Sequence, residues 1–409
     1  MQQGEQGGPL AGLAGLAGLD ASGAPVLSAF RWRPPRDYAS VLRAAGAPAP
    51  GATAVALSTG WRLPAGLGLR RPMPLRVTVV TPGPRPTASA ARASEGVVLA
   101  CLRLLVAIDA SCAGPLPPWW FAGLAPPTQP PQPPQPPQPS RGAPAWTPSS
   151  LDVVVYLWEG PKLLPERGPV TPANANTGIS IVYSDGRARV LVYRAEEAVK
   201  TLAHELLHVY RVGEWANEAR EGGGGGGGGA VRAVRAWGAA TDGPVAGVPR
   251  LKARRSAARP GSVPLPAEAI VDALAVRLTW LLFAAPSSAP SSAPSSGSGG
   301  ARGRAKEQPV SWPSVMDESD ATAARVAPAL ALYGQKTPAL EYTAVKSALL
   351  RRCHELLSAH RRGLQAPSKR EVVRLLQPVP FSGVAGATGA TGARSLRSTP
   401  VALAAIAGL

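Results

Sequence analysis

The chain has 409 residues, of which 45 are Gly and 46 are Pro. Much of that Gly and Pro lies in runs that cannot pack a core, so about half the chain is expected to fold, enough for one enzyme-sized core. Its 43 basic and 25 acidic residues give a formal net charge of +18, and its three cysteines (Cys101, Cys112 and Cys353) contain no CxxC, which excludes a disulfide framework.

Only seven of the basic residues are Lys (162, 200, 252, 306, 336, 346 and 369), and the rest are Arg. Many cluster in loop-like stretches, as do Arg250, Lys252, Arg254 and Arg255. The charge therefore reads as solvated surface with weak, salt-dependent affinity for polyanions, not as a specific nucleic-acid site. No charged leader followed by an apolar run is seen at the N-terminus, and no apolar stretch suffices for a membrane span. These features fit an intracellular location.

Residues 1–70 read as a low-complexity N-terminal region that includes the triplet run AGLAGLAGL. Leu75–Val80 is a short β-rich run, and Ala88–Ala110 carries helical spacing through Val98, Leu102, Leu105 and Ile108, with Ser94 as an N-cap candidate. Residues 114–150 form a Pro-rich insertion containing PPQPPQPPQP, expected to be solvated polyproline II. Leu151–Trp158 is a second β-rich run. Ile179–Tyr183 and Arg189–Tyr193 flank Ser184-Asp185-Gly186, and an Asp-Gly between β-branched runs predicts a hairpin. A helical pattern follows over Ala195–Val212. An insertion at 222–262 opens with eight glycines, and Leu265–Phe283 reads as a helix with Pro264 and Pro266 at its start. A disordered linker over 285–320, helical patterns over 321–380 and a low-complexity tail over 381–409 complete the chain.

The chemistry concentrates in His204-Glu205-Leu206-Leu207-His208. On a helix, positions i and i+4 share a face, so both imidazoles can reach one Zn²⁺ at about 2.0–2.1 Å. Glu205, beside the first ligand, can reach a zinc-bound water and act as its general base. The surrounding residues 201–210 contain no Pro, Gly or Lys/Arg, as a buried helix requires. The alternative is a buried helix with two incidental histidines.

A catalytic zinc needs a third protein ligand and one open position. Glu268 and Asp272 share one face of the later helix. Glu268 can bind the metal while Asp272 accepts a hydrogen bond from the far nitrogen of a ligand histidine and fixes its tautomer. Glu214 and Glu218 are alternative third ligands. Glu214 would need a sharp turn after the helix, which favours Gly at a position that is Arg211. His354 and His360 are six residues apart, not four, and read as ordinary helix histidines. Either of them, Tyr342 or Lys346 could instead donate to a transition state.

His204, Glu205, His208, Glu268 and Asp272 resemble the HExxH and ExxxD motifs of the gluzincin metallopeptidases, the thermolysin-like group. The runs AsnAlaAsnThrGlyIle (174–179), ArgAlaGluGluAlaValLys (194–200) and GlnLysThrProAlaLeuGluTyr (335–342) are also similar to uncharacterised metallopeptidase-like proteins of large DNA viruses and protists. The resemblance covers residues 75–350, and its specific part is the two zinc motifs. It departs in the 60 residues between His208 and Glu268 and in the lack of a matched transition-state histidine.

The resemblance implies an α+β, zincin-like fold: a small mixed sheet with an edge hairpin over the HExxH helix, then a helical C-terminal part, with long disordered insertions. The catalytic domain would span 71–284. It implies zinc-dependent hydrolysis of a peptide or protein substrate. The competing expectations are an inactive zincin scaffold or interaction protein, and a basic nucleic-acid-binding protein.

Overall fold

The computed structural model describes residues 27–47, 55–63, 69–81, 87–112, 116, 118–124, 146–160, 162–164, 170–212, 266–285, 310–331 and 346–363. Their strands are β1 (Ser28–Arg31), β2 (Val55–Leu63), β3 (Met73–Thr81), β4 (Ser150–Tyr156), β5 (Gly178–Val182) and β6 (Arg187–Val192). Their helices are α1 (Arg36–Ala44), α2 (Ala88–Cys112), α3 (Pro172–Ala175), α4 (Ala198–Val209), α5 (Pro266–Phe283), α6 (Trp312–Ala331) and α7 (Cys353–Gly363). The fold is mixed α+β.

The six strands form one mixed sheet in the order β1-β2-β3-β4-β6-β5. The β3–β4 and β4–β6 pairs are parallel, and the others are antiparallel. Parallel neighbours need a long crossover, and α2 supplies the one between β3 and β4. The central strands are β-branched and buried on both faces, as Val153, Val154 and Val155 illustrate. On one face Val77, Val79, Val153, Val155 and Val190 share a core with α2, α4 and α5. On the other, Val80, Val154, Tyr156 and Leu191 pack with Trp32, Tyr38 and Leu42 at and beside α1.

The hairpin forms as its Asp-Gly signal predicts. Gly186 takes a positive φ of 86°, and Asp185 Oδ1 accepts the Arg187 amide at 3.0 Å. This hairpin places β5 at the end of the sheet.

Four sequence expectations need correction. Residues 1–70 are not all low complexity, because β1, α1 and β2 lie there. Their alternation is too short and too Ala-rich to stand out until β2 pairs with all nine residues of β3. Ser94 does not cap α2: it lies within the helix and donates to the Ala90 carbonyl at 2.7 Å, while Thr87 Oγ1 accepts the Ala90 amide. The Pro-rich stretch 114–150 is not wholly solvated, since Pro118–Phe121 forms a 3₁₀ turn with Trp120 buried. The linker 285–320 ends early, because α6 begins at Trp312. In each of the last two, a tryptophan inside a biased segment finds an apolar site.

Arg277 joins these late elements to the core. Its guanidinium lies over both the Trp280 and Trp312 rings, 4.6 and 4.4 Å from their centroids. It donates to the Trp120 carbonyl at 2.8 Å and to that of Ala122. Trp312, Val315, Leu349, Leu350 and Leu356 share the core of the sheet. The C-terminal helices therefore pack onto the same core as the sheet, α2, α4 and α5. The insertion 222–262 and the tail 381–409 lie outside the described residues. No helix among the described residues is long and apolar enough to cross a membrane.

Leu105 of α2 is fully buried in this core. Leu105→Ala should destabilise the fold by about 2–5 kcal/mol, read by denaturant unfolding, without changing the metal affinity of the folded protein.

Candidate metal centre

Helix α4 crosses the core, and ten of its twelve residues are buried. The exceptions are His204 and His208. They lie one turn apart on the open side, with ring centroids 4.7 Å apart. Helix α5 starts at Pro266, where a ring suits the first helical position. Its first turn brings Glu268 to the two rings. Thus two helices that meet in the core converge on three donor atoms.

His204 Nε2 and His208 Nε2 lie 3.0 Å apart. Glu268 Oε2 lies 3.4 Å from the first and 3.3 Å from the second. These atoms form the one grouping of three or more His, Cys, Asp and Glu among the described residues that could hold a metal ion. The side chains of His204, His208 and Glu268 are 12%, 25% and 44% exposed, so the donors open toward solvent on one side.

Asp272, one turn after Glu268, faces the other end of the His204 ring: Oδ1 is 3.2 Å from Nδ1. The carboxylate is fully buried. Burial pushes its pKa up, but Lys200 and Lys346 outweigh that and hold it well below the usual carboxylate range. An ionised Asp272 accepts only, so Nδ1 carries the proton and the neutral ring presents an Nε2 lone pair. Two lone pairs cannot face each other at 3.0 Å unshared. The nitrogens share either a proton or a metal.

Without a metal, a proton on His204 Nε2 meets Glu268 Oε2 at 3.4 Å. Burial opposes charge on His204, but its hydrogen bonds to Asp272 and Glu268 raise its pKa to about 9. Burial likewise opposes charge on Glu268, and the hydrogen bonds with the two histidines overcome it and lower its pKa. Glu205 differs. It is buried, and burial raises its pKa despite the two histidines and a hydrogen bond with Ser180.

The fold brings His204, His208 and Glu268 together, with Asp272 behind His204. Glu205 lies beside β5, under Ser180. Glu214, Glu218 and Tyr342 fall outside the described residues, as does the side chain of His360. Helix α4 does turn sharply: Arg211 adopts φ 56°, and Val212 donates to the Leu207 carbonyl at 2.9 Å. The missing Gly did not prevent the turn. His354 packs edge-on against Phe121, with ring centroids 5.4 Å apart. Lys346 is buried, with Nζ on Asp272.

Two residues escaped the sequence reading. Lys200, one turn before His204, has Nζ 2.8 Å from Asp272 Oδ1; a lone Lys in the first turn of a largely apolar helix was the available signal. Gly178 was quoted only within a run. A methyl on Gly178 would lie 2.7 Å from Thr201 Cγ2 and 2.8 Å from Glu205 Oε1. Only the absence of a side chain lets β5 approach α4 there, which no local pattern announces.

Comparison of the chain with protein-family models, with curated proteins and with solved structures yields no match.

Because His204 holds its proton up to about pH 9, a bound metal must displace it. Apparent zinc affinity should therefore rise about tenfold per pH unit between pH 7 and 8. Calorimetry in buffers of different ionisation enthalpy should find about one proton released per zinc at pH 7.5. No release would contradict a protonated His204 in the metal-free protein.

Proposed function

We propose that the chain is a zinc-dependent metallopeptidase of the gluzincin type, in which His204, His208 and Glu268 hold the metal and Glu205 is the general base. The observation that carries this reading is the spacing of the three donor atoms, 3.0, 3.3 and 3.4 Å. Ligands bonded at 2.0–2.1 Å to a tetrahedral ion lie about 3.3–3.4 Å apart. Three protein ligands also leave the fourth position free, and the solvent-facing side of the triad supplies room for it. The donor chemistry, two imidazoles and one carboxylate, suits zinc.

When bound, zinc would act as a Lewis acid on a substrate carbonyl and lower the pKa of a water. Glu205 would take the proton of the attacking water and deliver it to the leaving amine. Its raised pKa suits both halves of that transfer. Asp272 would keep the His204 ring oriented. The sheet ends at β5, beside Glu205, so its outer backbone edge could pair with an extended peptide. The sheet order and the edge hairpin over α4 support the zincin-like reading.

A second reading, a metal-holding scaffold without turnover, is favoured by one observation. Two of the candidate transition-state donors are engaged elsewhere, Lys346 by Asp272 and His354 by Phe121.

A peptide-library screen separates the two readings. Glu205→Gln should cut cleavage by at least about 10²-fold while zinc remains stoichiometric. Cleavage unchanged by Glu205→Gln would sink the mechanism, and no cleavage by the zinc-loaded parent would favour the scaffold. Gly178→Ala should overpack the β5–α4 contact, at about 1–3 kcal/mol of stability. It should lower kcat more than it weakens zinc binding, because it displaces Glu205 and not the ligands.

A further inference from the structure

Asp272 has more partners than a histidine-orienting carboxylate requires. His204 Nδ1 and Lys200 Nζ share Oδ1, at 3.2 and 2.8 Å, and Lys346 Nζ lies 2.8 Å from Oδ2. Asp272, Lys200 and Lys346 are all buried. Lys200 precedes His204 by one turn of α4, whereas Lys346 opens the helical residues 346–351, in the C-terminal part of the chain. Its neighbour Ser347 is tied to Asp320 of α6, so the segment that carries Lys346 is itself anchored.

We propose that Lys346, together with Lys200, is a positioning residue of the metal centre. The two ammonium groups fix the Asp272 carboxylate, one on each oxygen, so that Oδ1 stays on His204 Nδ1 and the His204 Nε2 lone pair stays on the metal side. A metal centre built on α4 and α5 is then complete only when the C-terminal segment docks.

The physical reason lies in Oδ2. Without Lys346 that oxygen would be buried with no cation, and a buried anionic oxygen left unpaired is strongly disfavoured. The carboxylate would gain by turning toward Lys200 or toward water, and either motion draws Oδ1 from His204. Lys346 is no candidate for contacting substrate, because its side chain is 4% exposed and its Nζ lies 2.8 Å from Asp272 Oδ2. Other features of the molecule carry less. The small cavity lined by Ile108, Trp120 and Leu274 is apolar, and Arg277 is engaged by two carbonyls and two indoles.

The inference rests on the zinc-site reading, and a double-mutant cycle on zinc affinity in the full chain tests it separately. Zinc dissociation constants are measured by competition with a chromophoric chelator for the parent, Asp272→Asn, Lys346→Met and the double variant. Loss of an outer-shell partner weakens metal binding about 10–100-fold. Each single variant should fall in that range, and the double variant should bind zinc no more weakly than Asp272→Asn alone, because Lys346 acts through Asp272.

An unchanged Kd in Lys346→Met, or additive losses in the double variant, would overturn the proposal and leave the zinc site standing. If Lys346→Met does not fold alone, Asp272→Asn against the double variant decides: equal affinity supports the proposal, and further loss overturns it. A folded parent that binds no stoichiometric zinc would overturn the functional reading, and this inference with it.

Discussion

The structure turns on one buried carboxylate. Asp272 is wholly enclosed and meets a histidine and a lysine of α4 and a second lysine from the C-terminal part of the chain. An ion so placed is favourable only when its partners stay in position, and removing one partner of a buried pair costs about 3–5 kcal/mol. The packing of α4, α5 and the C-terminal segment therefore has to satisfy Asp272 and orient His204 together. The two lysines respond to this setting in opposite ways. Asp272 and Glu197 raise the pKa of Lys200 against burial, whereas for Lys346 burial, reinforced by Lys200, prevails and lowers it.

Around that point the fold divides rigid support from open chemistry. The sheet and α2 bury the inner face of α4, and α5 lies against its flank. What remains accessible is the side that carries the two ring nitrogens. β5 then comes in close enough at Gly178 that Glu205 is held between strand and helix, with the Thr177 and Thr201 hydroxyls hydrogen-bonded at 2.9 Å beside it. The proposed base is thus placed by a strand–helix contact, and the metal donors by a helix–helix contact. The two can be perturbed separately, since different interfaces fix them.

Much of this was legible in the order of residues. The hairpin was, because Asp185-Gly186 between β-branched runs favours a reversal through local backbone geometry alone. So were α2, α4 and α5, whose apolar spacing repeats over several turns. Segments with weak periodicity were not. β1 becomes recognisable only by pairing with β2, β2 by pairing with β3 and α1 by packing under Tyr156, and Trp120 and Trp312 are concealed by the Pro- and Ser-rich sequence around them.

The sequence by itself determined which residues share a helix face. The i, i+4 spacing of His204 and His208, and of Glu268 and Asp272, puts each pair on one helix face whatever the rest of the chain does, because helical geometry is local. The tertiary structure decided which groups those faces meet. Convergence of Glu268 on the histidines across 60 residues, the ion pair of Lys346 with Asp272, and the need for Gly at 178 all depend on packing between distant segments. Contacts of that kind are set by the shared core, and no local pattern of residues encodes them.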